Sequence, residues 1–507
     1  MIWFRKNKKT RFTGRCKAPR RWKLDQPLIH WSKKEAFSIS QSFEGYLALG
    51  STGAGKTSFT ESIAIAMLRA GYGGYVSTFK SDEPARWRSY ARQSGRERSL
   101  ILFGPGHPWR FNFLNYELSR PGAGAGHVEN IVALLNVALE IAKPPSVSGS
   151  DGRDGGEFWS NTKLQALRNF LDLLILATGF ISVSNLYRLI MSAPQSKAEW
   201  QSPEWQAKSF CFQCLNKAEA NAKTRSQIRT LELVVDYIVL DFCNLNPRTR
   251  SIVVSSVTSM LDLLNRSIAS ELLCGDTNIT PEDMDDGAIL VMDLGIAEYG
   301  QLGKLVQGII RYCFQTSAQR RAVTQSTRPI FFFADEFQHF IIPSHDQIFQ
   351  TTCRSARIAT VYLTQNIPNI VAALGGNSLG KAQCDSLLAN INHKLFFCNS
   401  CSVTNEYAAN LIGRTRQFML NASHSHSTAH WLDIMGGYGS QPTQNAGMNE
   451  IWEYEVQPSA FTTLKSGGFA NKGQIEAVVV RNSRPFADTG RLWRLTQYQQ
   501  NLRAKPF

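Results

Sequence analysis

The sequence has no long apolar run. A helix that spans a bilayer needs about 20 consecutive apolar residues, and none of the 507 residues begins such a stretch. The nearest candidate, 171–180, contains Asp172 and is better explained as a buried helix. The charged N-terminus is not followed by the apolar core of a signal peptide. We therefore expect a cytoplasmic protein.

Cysteine is sparse, and no dense framework of it is present. Ten cysteines in 507 residues agree with a reducing compartment. Two Cys-x-x-Cys pairs occur, Cys211/Cys214 and Cys398/Cys401. Together they could bind zinc, but their separation and the helical pattern around the first pair favour buried structural cysteines. In a Ser- and Gly-rich segment at 416–448, histidines could likewise bind metal, although a mobile loop is favoured; they are His424, His426 and His430.

Acidic residues are almost missing from the N-terminus. Residues 1–34 contain twelve of the 55 Lys and Arg and a single acid, so they carry +11 of the net charge of +15. Four aromatic residues are interleaved with these charges: Trp3, Phe4, Trp22 and Trp31. Such an arm could bind nucleic acid by charge and stacking, or lie at an anionic membrane surface. A solvated tail is the remaining alternative.

One glycine-rich stretch carries the clearest chemical signal. An apolar run at 46–49 leads into GSTGAGKT, and an apolar-periodic segment follows. Strand, glycine loop and helix in this order are typical of a phosphate-binding loop. Lys56 is predicted to reach the β- and γ-phosphates and Thr57 to give its hydroxyl to Mg²⁺. The predicted nucleotide-binding residues are Gly50, Ser51, Thr52, Gly53, Ala54, Gly55, Lys56, Thr57 and Ser58.

Adjacent carboxylates follow a second apolar run. PIFFFADEFQHF places Asp335 and Glu336 directly after what is predicted to be a buried central strand. Ligands of α/β sheets bind at the carboxyl ends of strands, so Asp335 is expected to hold Mg²⁺ and Glu336 to orient or deprotonate the attacking water. A third strand at 358–363 ends in Thr364 and Gln365, and a polar group there could sense the γ-phosphate.

Two arginines precede that third strand. Arg354 and Arg357, in TCRSAR, are expected near its opposite end and would point away from their own nucleotide. That placement suits an arginine finger supplied to the next subunit of a ring. Alternatively, they are surface arginines that bind carboxylates or DNA phosphate.

Apolar periodicity divides the chain. Strand and helix patterns alternate at both ends, whereas helical spacing dominates a long middle stretch. The pattern predicts an α/β nucleotide-binding domain with a parallel sheet, interrupted by an inserted all-α domain. The predicted division is a basic arm at 1–34, the first part of the nucleotide-binding domain at 35–121, the inserted domain at 122–283 and the second part at 284–507.

These motifs, in this order, resemble the additional-strand P-loop ATPases related to HerA and FtsK. Within them, the sequence is most similar to the coupling ATPases of type IV secretion and bacterial conjugation. The resemblance covers about residues 40–485 and rests on GSTGAGKT, KSDE, FNFL, EFW, FFFADEF, YLTQN, the segments around Asn390 and Gly413, and VQPSAFTTLKSGG. It implies a RecA-like fold and nucleotide roles for Lys56, Thr57, Asp335, Glu336 and Gln365, with Arg354 at the finger position.

The resemblance implies an ATP- and Mg²⁺-dependent motor, which we expect to be a hexameric ring. It would move DNA, single-stranded or bound to a relaxase, or a DNA–protein substrate towards a type IV secretion channel. Its expected partners are channel components and relaxosome or effector proteins. Members of this family usually begin with transmembrane helices, so the basic arm is expected to provide peripheral contact with the inner face of the cell membrane. The alternatives are a soluble DNA translocase unconnected with secretion and an assembly protein that binds nucleotide but moves nothing.

Overall fold

The fold was analysed in a computed structural model of the chain. It describes residues 11–17, 19–32, 34–142, 153–425, 443–482 and 484–500. Residues 1–10 of the predicted arm, and the histidine-containing stretch 426–442, therefore lie outside the described residues.

A mixed sheet forms the centre of the molecule. Within the described residues it contains nine strands in the order β13-β12-β9-β3-β8-β7-β4-β6-β5. The seven from β9 to β5 are parallel, and β12 and β13 continue the sheet as antiparallel strands. The strands are β3 (Tyr46–Leu49), β4 (Gly73–Ser77), β5 (Leu100–Phe103), β6 (Ile289–Met292), β7 (Ile330–Ala334), β8 (Ile358–Thr364), β9 (His393–Phe396), β12 (Gln474–Arg481) and β13 (Trp493–Gln499).

The central strands are apolar because helices cover both faces of the sheet. In β7, Phe332 joins the cluster on the face covered by the long helix after β6, and its neighbours Phe331 and Phe333 join the cluster on the other face. The helices of the sheet domain are α1 (Ile39–Ser42), α2 (Lys56–Arg69), α3 (Glu83–Gln93), α14 (Ile296–Arg320), α15 (Asp346–Thr352), α16 (Ile367–Ala373), α17 (Ser378–Asn390) and α18 (Ser402–Ile412).

Helices fill the interval between β5 and β6, which gives the fold its inserted all-α part. Helix α5 connects this part to the sheet by packing against α14. The predicted fold class, a RecA-like P-loop sheet with an all-α insertion, is therefore confirmed. The helices are α4 (Phe113–Ser119), α5 (Val128–Ala142), α6 (Arg153–Thr178), α7 (Val183–Met191), α8 (Lys197–Trp200), α9 (Pro203–Lys208), α10 (Phe210–Asn221), α11 (Arg225–Asp236), α12 (Pro247–Asn265) and α13 (Ser267–Leu273).

Two antiparallel pairs lie outside the main sheet, β1 (Pro27–His30) with β2 (Ala36–Ser38) and β10 (Arg414–Ser425) with β11 (Thr443–Tyr454). The second pair corrects the predicted loop at 416–448, because both ends of that segment are strands in full register with each other. His426 and His430 fall in the stretch that is not described.

The described part of the predicted basic arm packs against the sheet domain. Trp22 is buried in edge-to-face contact with Tyr72, and Trp31 is buried and stacked on Phe59 of α2. A stacking role on nucleic acid was therefore wrong for these two tryptophans, because their rings belong to the core. Trp3 and Phe4 lie outside the described residues.

In the described ranges, no single helix is long and apolar enough to cross a membrane. One bent pair of helices, Asn161–Thr178 with Val183–Met191, passes the length and composition criteria together, with a bend of 114°.

Candidate nucleotide site

The glycine loop joins the carboxyl end of β3 to the first residue of α2. Gly50 N–H donates to the Gln365 carbonyl at 3.1 Å, which fixes the start of the loop against the end of β8. Gly55 has φ +84° and a Cβ there would overlap Ile475, so the last turn before the helix requires glycine. The backbone N–H groups at the start of α2 therefore open into the loop, as a phosphate site requires.

Lys56 is held by the same loop. It is buried, and its ammonium donates to the Gly50 carbonyl at 2.7 Å and to the Ser51 carbonyl at 3.1 Å. Burial lowers the pKa of Lys56, while Asp335 and Glu336 nearby act in the opposite direction. A phosphate in the loop would be a stronger acceptor for this ammonium than either carbonyl.

Thr57 and Asp335 meet across the site although they are far apart in sequence. The Thr57 hydroxyl donates to Asp335 Oδ2 at 2.9 Å. Burial raises the pKa of Asp335, which a neighbouring cation would counteract. A hydroxyl and a carboxylate side by side are the hard oxygen ligands that Mg²⁺ prefers, so these residues fit the ion predicted from the sequence.

Glu336 follows in a left-handed backbone conformation with φ 54° and ψ 48°. Its side chain is half-buried, and Oε2 accepts from Gln338 Nε2 at 2.8 Å and from Gln365 Nε2 at 3.4 Å. Thr364 completes this group by donating its hydroxyl to Gln338 Oε1 at 2.7 Å. The structure thus brings Glu336 and Gln365 together and adds Gln338, which the sequence analysis did not single out.

Glu83 is a further acid of the site that the sequence analysis left without a role. It lies at the start of α3, is buried, and accepts from the backbone N–H groups of Phe79 and Lys80 at 3.2 and 2.9 Å. Burial, with Asp335 as the next contribution, raises the pKa of Glu83 to about 8. Glu83 lies in the segment after β4. It comes close to Asp335 because β4 pairs with β7, the strand that Asp335 follows.

A cavity of about 1060 Å³ is lined by residues 52–58 and by Asp335 and Glu336. The phosphate loop and the two carboxylates form one part of its wall, and Ser466, Gly467, Gly468, Tyr498 and Gln500 of the C-terminal segment form another. Gln500 contacts both sides, because it donates to Ser58 Oγ at 3.2 Å and accepts from Gly468 N–H at 3.1 Å. The cavity is large enough for a nucleotide.

Arg354 lies apart from the cavity. It is exposed in the turn before β8, at the opposite end of that strand from Thr364. Arg357 is in the same turn, but its guanidinium donates to the carbonyls of Gln325 and Thr327 of its own chain. The structure therefore does not bring either arginine to the phosphate loop of its own chain.

The two cysteine pairs are free thiols. Cys211 and Cys214 lie buried in α10, and Cys398 and Cys401 flank the end of β9 and the start of α18. Among the described residues, no group of three or more His, Cys, Asp or Glu is arranged to hold a metal ion.

One sequence-family model matches part of the chain. A sequence-family model described as the TraM recognition site of TraD and TraG matches residues 329–450, the segment that contains Asp335, Glu336 and Gln365. A search of curated proteins finds no match.

Solved structures of a coupling protein match nearly the whole chain. The unbound bacterial conjugative coupling protein TrwBdeltaN70 is 13% identical, with 96% of this chain and 90% of that chain covered and a TM-score of 0.56. The plasmid coupling protein TrwB in complex with ADP and Mg²⁺ is 14% identical, with 98% of both chains covered and a TM-score of 0.55. TrwB with the GTP analogue GDPNP is also 14% identical, covers 96% and 91%, and has a TM-score of 0.56. At these identities the likeness establishes the fold, and the predicted resemblance to coupling ATPases is confirmed as a resemblance.

Proposed function

We propose that the chain is an ATP-hydrolysing ring motor that recruits DNA or a DNA–protein substrate and moves it to a type IV secretion or conjugation channel. The observation that carries the ATPase part is the contact between Thr57 and Asp335 inside the cavity, with Lys56 and Glu336 beside it. A nucleotide-hydrolysing site needs a phosphate-binding loop and a pair of acids. The hydrogen bond between Thr57 and Asp335 connects the two.

The roles within the site follow from its chemistry. The backbone N–H groups of the loop and the Lys56 ammonium would bind the β- and γ-phosphates. Mg²⁺ held by Thr57 and Asp335 would neutralise charge on those phosphates. Glu336 would orient the attacking water and accept its proton, with Gln365 beside the γ-phosphate. TrwB, which shares the fold, has been captured with ADP and Mg²⁺, and this supports the choice of ligands.

The transport part rests on the comparisons. The matched family segment is described as the TraM recognition site of TraD and TraG, and TrwB is described as a conjugative coupling protein, so DNA, relaxosome proteins and channel components are the proposed partners. A hexameric ring at the inner face of the membrane is proposed from the resemblance of the sequence motifs to coupling ATPases. The N-terminal charge of the sequence would add attraction to anionic lipid or DNA.

ATP hydrolysis measured with and without DNA tests the proposal. We expect single- or double-stranded DNA to stimulate the rate, Lys56→Ala to abolish it, and Glu336→Gln to bind ATP without turnover, because the amide cannot accept a proton. Lys381→Ala and Glu219→Gln are matched controls, since both side chains are exposed on helices outside the cavity.

Two results would count against it. Normal turnover in Glu336→Gln would remove Glu336 from the reaction. A rate that neither form of DNA changes would leave a nucleotide site but contradict the motor, and would favour the alternative of a nucleotide-dependent assembly protein.

A further inference from the structure

Gln338 joins two parts of the site through one side chain. Its amide nitrogen donates to Glu336 Oε2 at 2.8 Å, and its amide oxygen accepts from the Thr364 hydroxyl at 2.7 Å. The carboxylate of Glu336 can only accept when ionised, so it must face the nitrogen of Gln338, and this fixes the orientation of the amide. Thr364 then meets the oxygen. A residue with only acceptors could not bind the ionised carboxylate of Glu336.

We propose that Gln338 is a positioning residue for Glu336, an inference that rests on the proposed role of Glu336 in hydrolysis. Amide donors from Gln338 and Gln365 both engage Oε2 of Glu336. No hydrogen bond of the described residues engages Oε1, so Oε1 is the oxygen left to accept the proton of the attacking water. Gln338 thereby sets which carboxylate oxygen reacts and where it is held.

The backbone turn at Glu336 is held by contacts other than those of Gln338. Glu336 has φ 54°, a left-handed conformation that is uncommon outside glycine. Strained backbone of this kind persists where neighbouring contacts hold it. Here the Glu336 N–H donates to Asp335 Oδ1 at 3.0 Å, and the ring of Phe337 stacks on Tyr362 with centroids 3.8 Å apart. These contacts hold the turn, which leaves the side-chain direction of Glu336 to Gln338.

The hydrogen bond between Gln338 and Thr364 connects Glu336 to the strand that supports the phosphate loop. Thr364 is fully buried at the end of β8, where it pairs with Leu49, the residue before the loop. Gly50 N–H donates to the carbonyl of the next residue, Gln365. Gln338 therefore holds Glu336 against the same strand end that holds the phosphate loop. The carboxylate of Glu336 is thereby positioned relative to phosphates bound in the loop.

Gln338→Met in the full chain tests this role, because methionine has a similar length but neither donates nor accepts through an amide. We expect kcat for ATP to fall about tenfold to a hundredfold, as for other supporting residues of reactive groups. KM, nucleotide binding and the unfolding temperature should stay unchanged, since Phe337 and Asp335 still hold the turn. A general loss of structure would instead lower all of these together.

Thr364→Val provides a second variant of nearly unchanged shape. It removes the hydroxyl that holds the amide oxygen of Gln338, so we expect a smaller fall in kcat. Because the two side chains act through one bridge, the double variant should be no slower than Gln338→Met alone. Gln347→Met is the matched control: Gln347 is also half-buried and donates to a hydroxyl, that of Ser386, but lies on α15 outside the site.

The outcomes separate this inference from the proposed function. A kcat for Gln338→Met within twofold of the native value, or independent losses that multiply in the double variant, would overturn the positioning role. Loss of turnover in Glu336→Gln with a normal Gln338→Met would overturn only the positioning role. Normal turnover in Glu336→Gln would overturn the proposed function itself.

Discussion

Lys394 is a charged side chain almost completely enclosed in the sheet domain. It is 1% exposed on β9, and its ammonium donates to the Ile391 carbonyl. Burial lowers the pKa of Lys394 from 10.5 to about 8. Between pH 8 and pH 10.5 the unfolded chain therefore binds more protons than the folded chain, and the contribution of Lys394 to stability rises with pH over this window.

Lys394→Met is expected to stabilise the protein at pH 7. At that pH the ammonium is charged in both states, and the folded state bears the cost of burying it, on the order of 1–3 kcal/mol. Unfolding temperatures at pH 7 and pH 10 would measure this. The gain should be largest at pH 7 and shrink as the pH approaches 10, and Lys381→Met, on an exposed helix position, should show neither effect. A lower unfolding temperature at pH 7 would contradict the argument.

The site residues differ in how readily sequence identifies them. Asp335 and Glu336 directly follow an apolar run that predicts a strand, and Lys56 and Thr57 end a glycine loop that follows another such run, so their positions follow from local pattern. Gln338 has no such signal, since its partner Thr364 is 26 residues away. Glu83 meets Asp335 only because β4 pairs with β7. The functional roles of all these residues stay predictions.

At the scale of elements, the buried central strands were predictable and the edge strand β13 was not. The strands at 46–49 and 330–334 coincide with the apolar runs that predicted them, because consecutive apolar residues are required where both faces are covered. Strand β13 has one buried residue, Thr496, among exposed and partly buried ones, and has no such run. The segment 37–43 alternates apolar and polar residues as a strand does, but only β2 is extended there, because Ser38 and Gln41 form a capping box that starts α1.

A buried ion pair connects α14 to the segment between the site acids and Arg354. The Arg311 guanidinium donates to both oxygens of Asp346 at 2.8 and 2.9 Å, and both side chains are 2% exposed. Asp346 Oδ2 also accepts from Ile342 N–H at 2.7 Å. The pair therefore fixes the start of α15 and the loop that precedes it.

Removal of one partner should destabilise this segment strongly. Arg311→Met leaves a buried carboxylate without its counter-charge and is expected to cost about 3–5 kcal/mol. Adding Asp346→Asn should recover part of this, because asparagine has no charge and can still accept from Ile342. Unfolding by urea would compare the variants. Arg266→Met breaks an exposed pair with Asp262 on α12 and should change the free energy of unfolding far less than Arg311→Met does. A double variant less stable than Arg311→Met would contradict the charge argument.

For the whole molecule, the N-terminal charge must be separated from the N-terminal packing. Deletion of 1–34 would remove Trp22 and Trp31 from the core as well as the basic residues, so weaker binding to a membrane or DNA could reflect misfolding. Deletion of 1–10 removes Arg5, Lys6, Lys8 and Lys9 alone among the charged residues.

We expect the shorter deletion to keep the unfolding temperature but weaken co-sedimentation with anionic vesicles, by about 1 kcal/mol for each basic residue that lies near the lipid. Neutral vesicles should bind neither form. The longer deletion should lower the unfolding temperature, because loss of a buried tryptophan costs about 3–5 kcal/mol. Full binding of the shorter form to both vesicles and DNA would show that these four charges take no part.

The role predicted for Arg354, an arginine finger, requires a neighbouring subunit. Strand β8 separates Arg354 from the phosphate-loop edge by about 20 Å, so the exposed Arg354 cannot serve the site of its own chain. In a ring it would reach the γ-phosphate of a neighbour.

Arg354→Ala and Lys56→Ala should each be inactive alone. When they are mixed in equal amounts before assembly, a quarter of the interfaces would combine an intact Lys56 with an intact Arg354, and about a quarter of the native ATPase rate should return if sites act independently. Arg357→Ala mixed in the same way is the control and should be active by itself, since Arg357 already donates to carbonyls of its own chain. Mixed assemblies that form but remain inactive would show that Arg354 does not act across the interface.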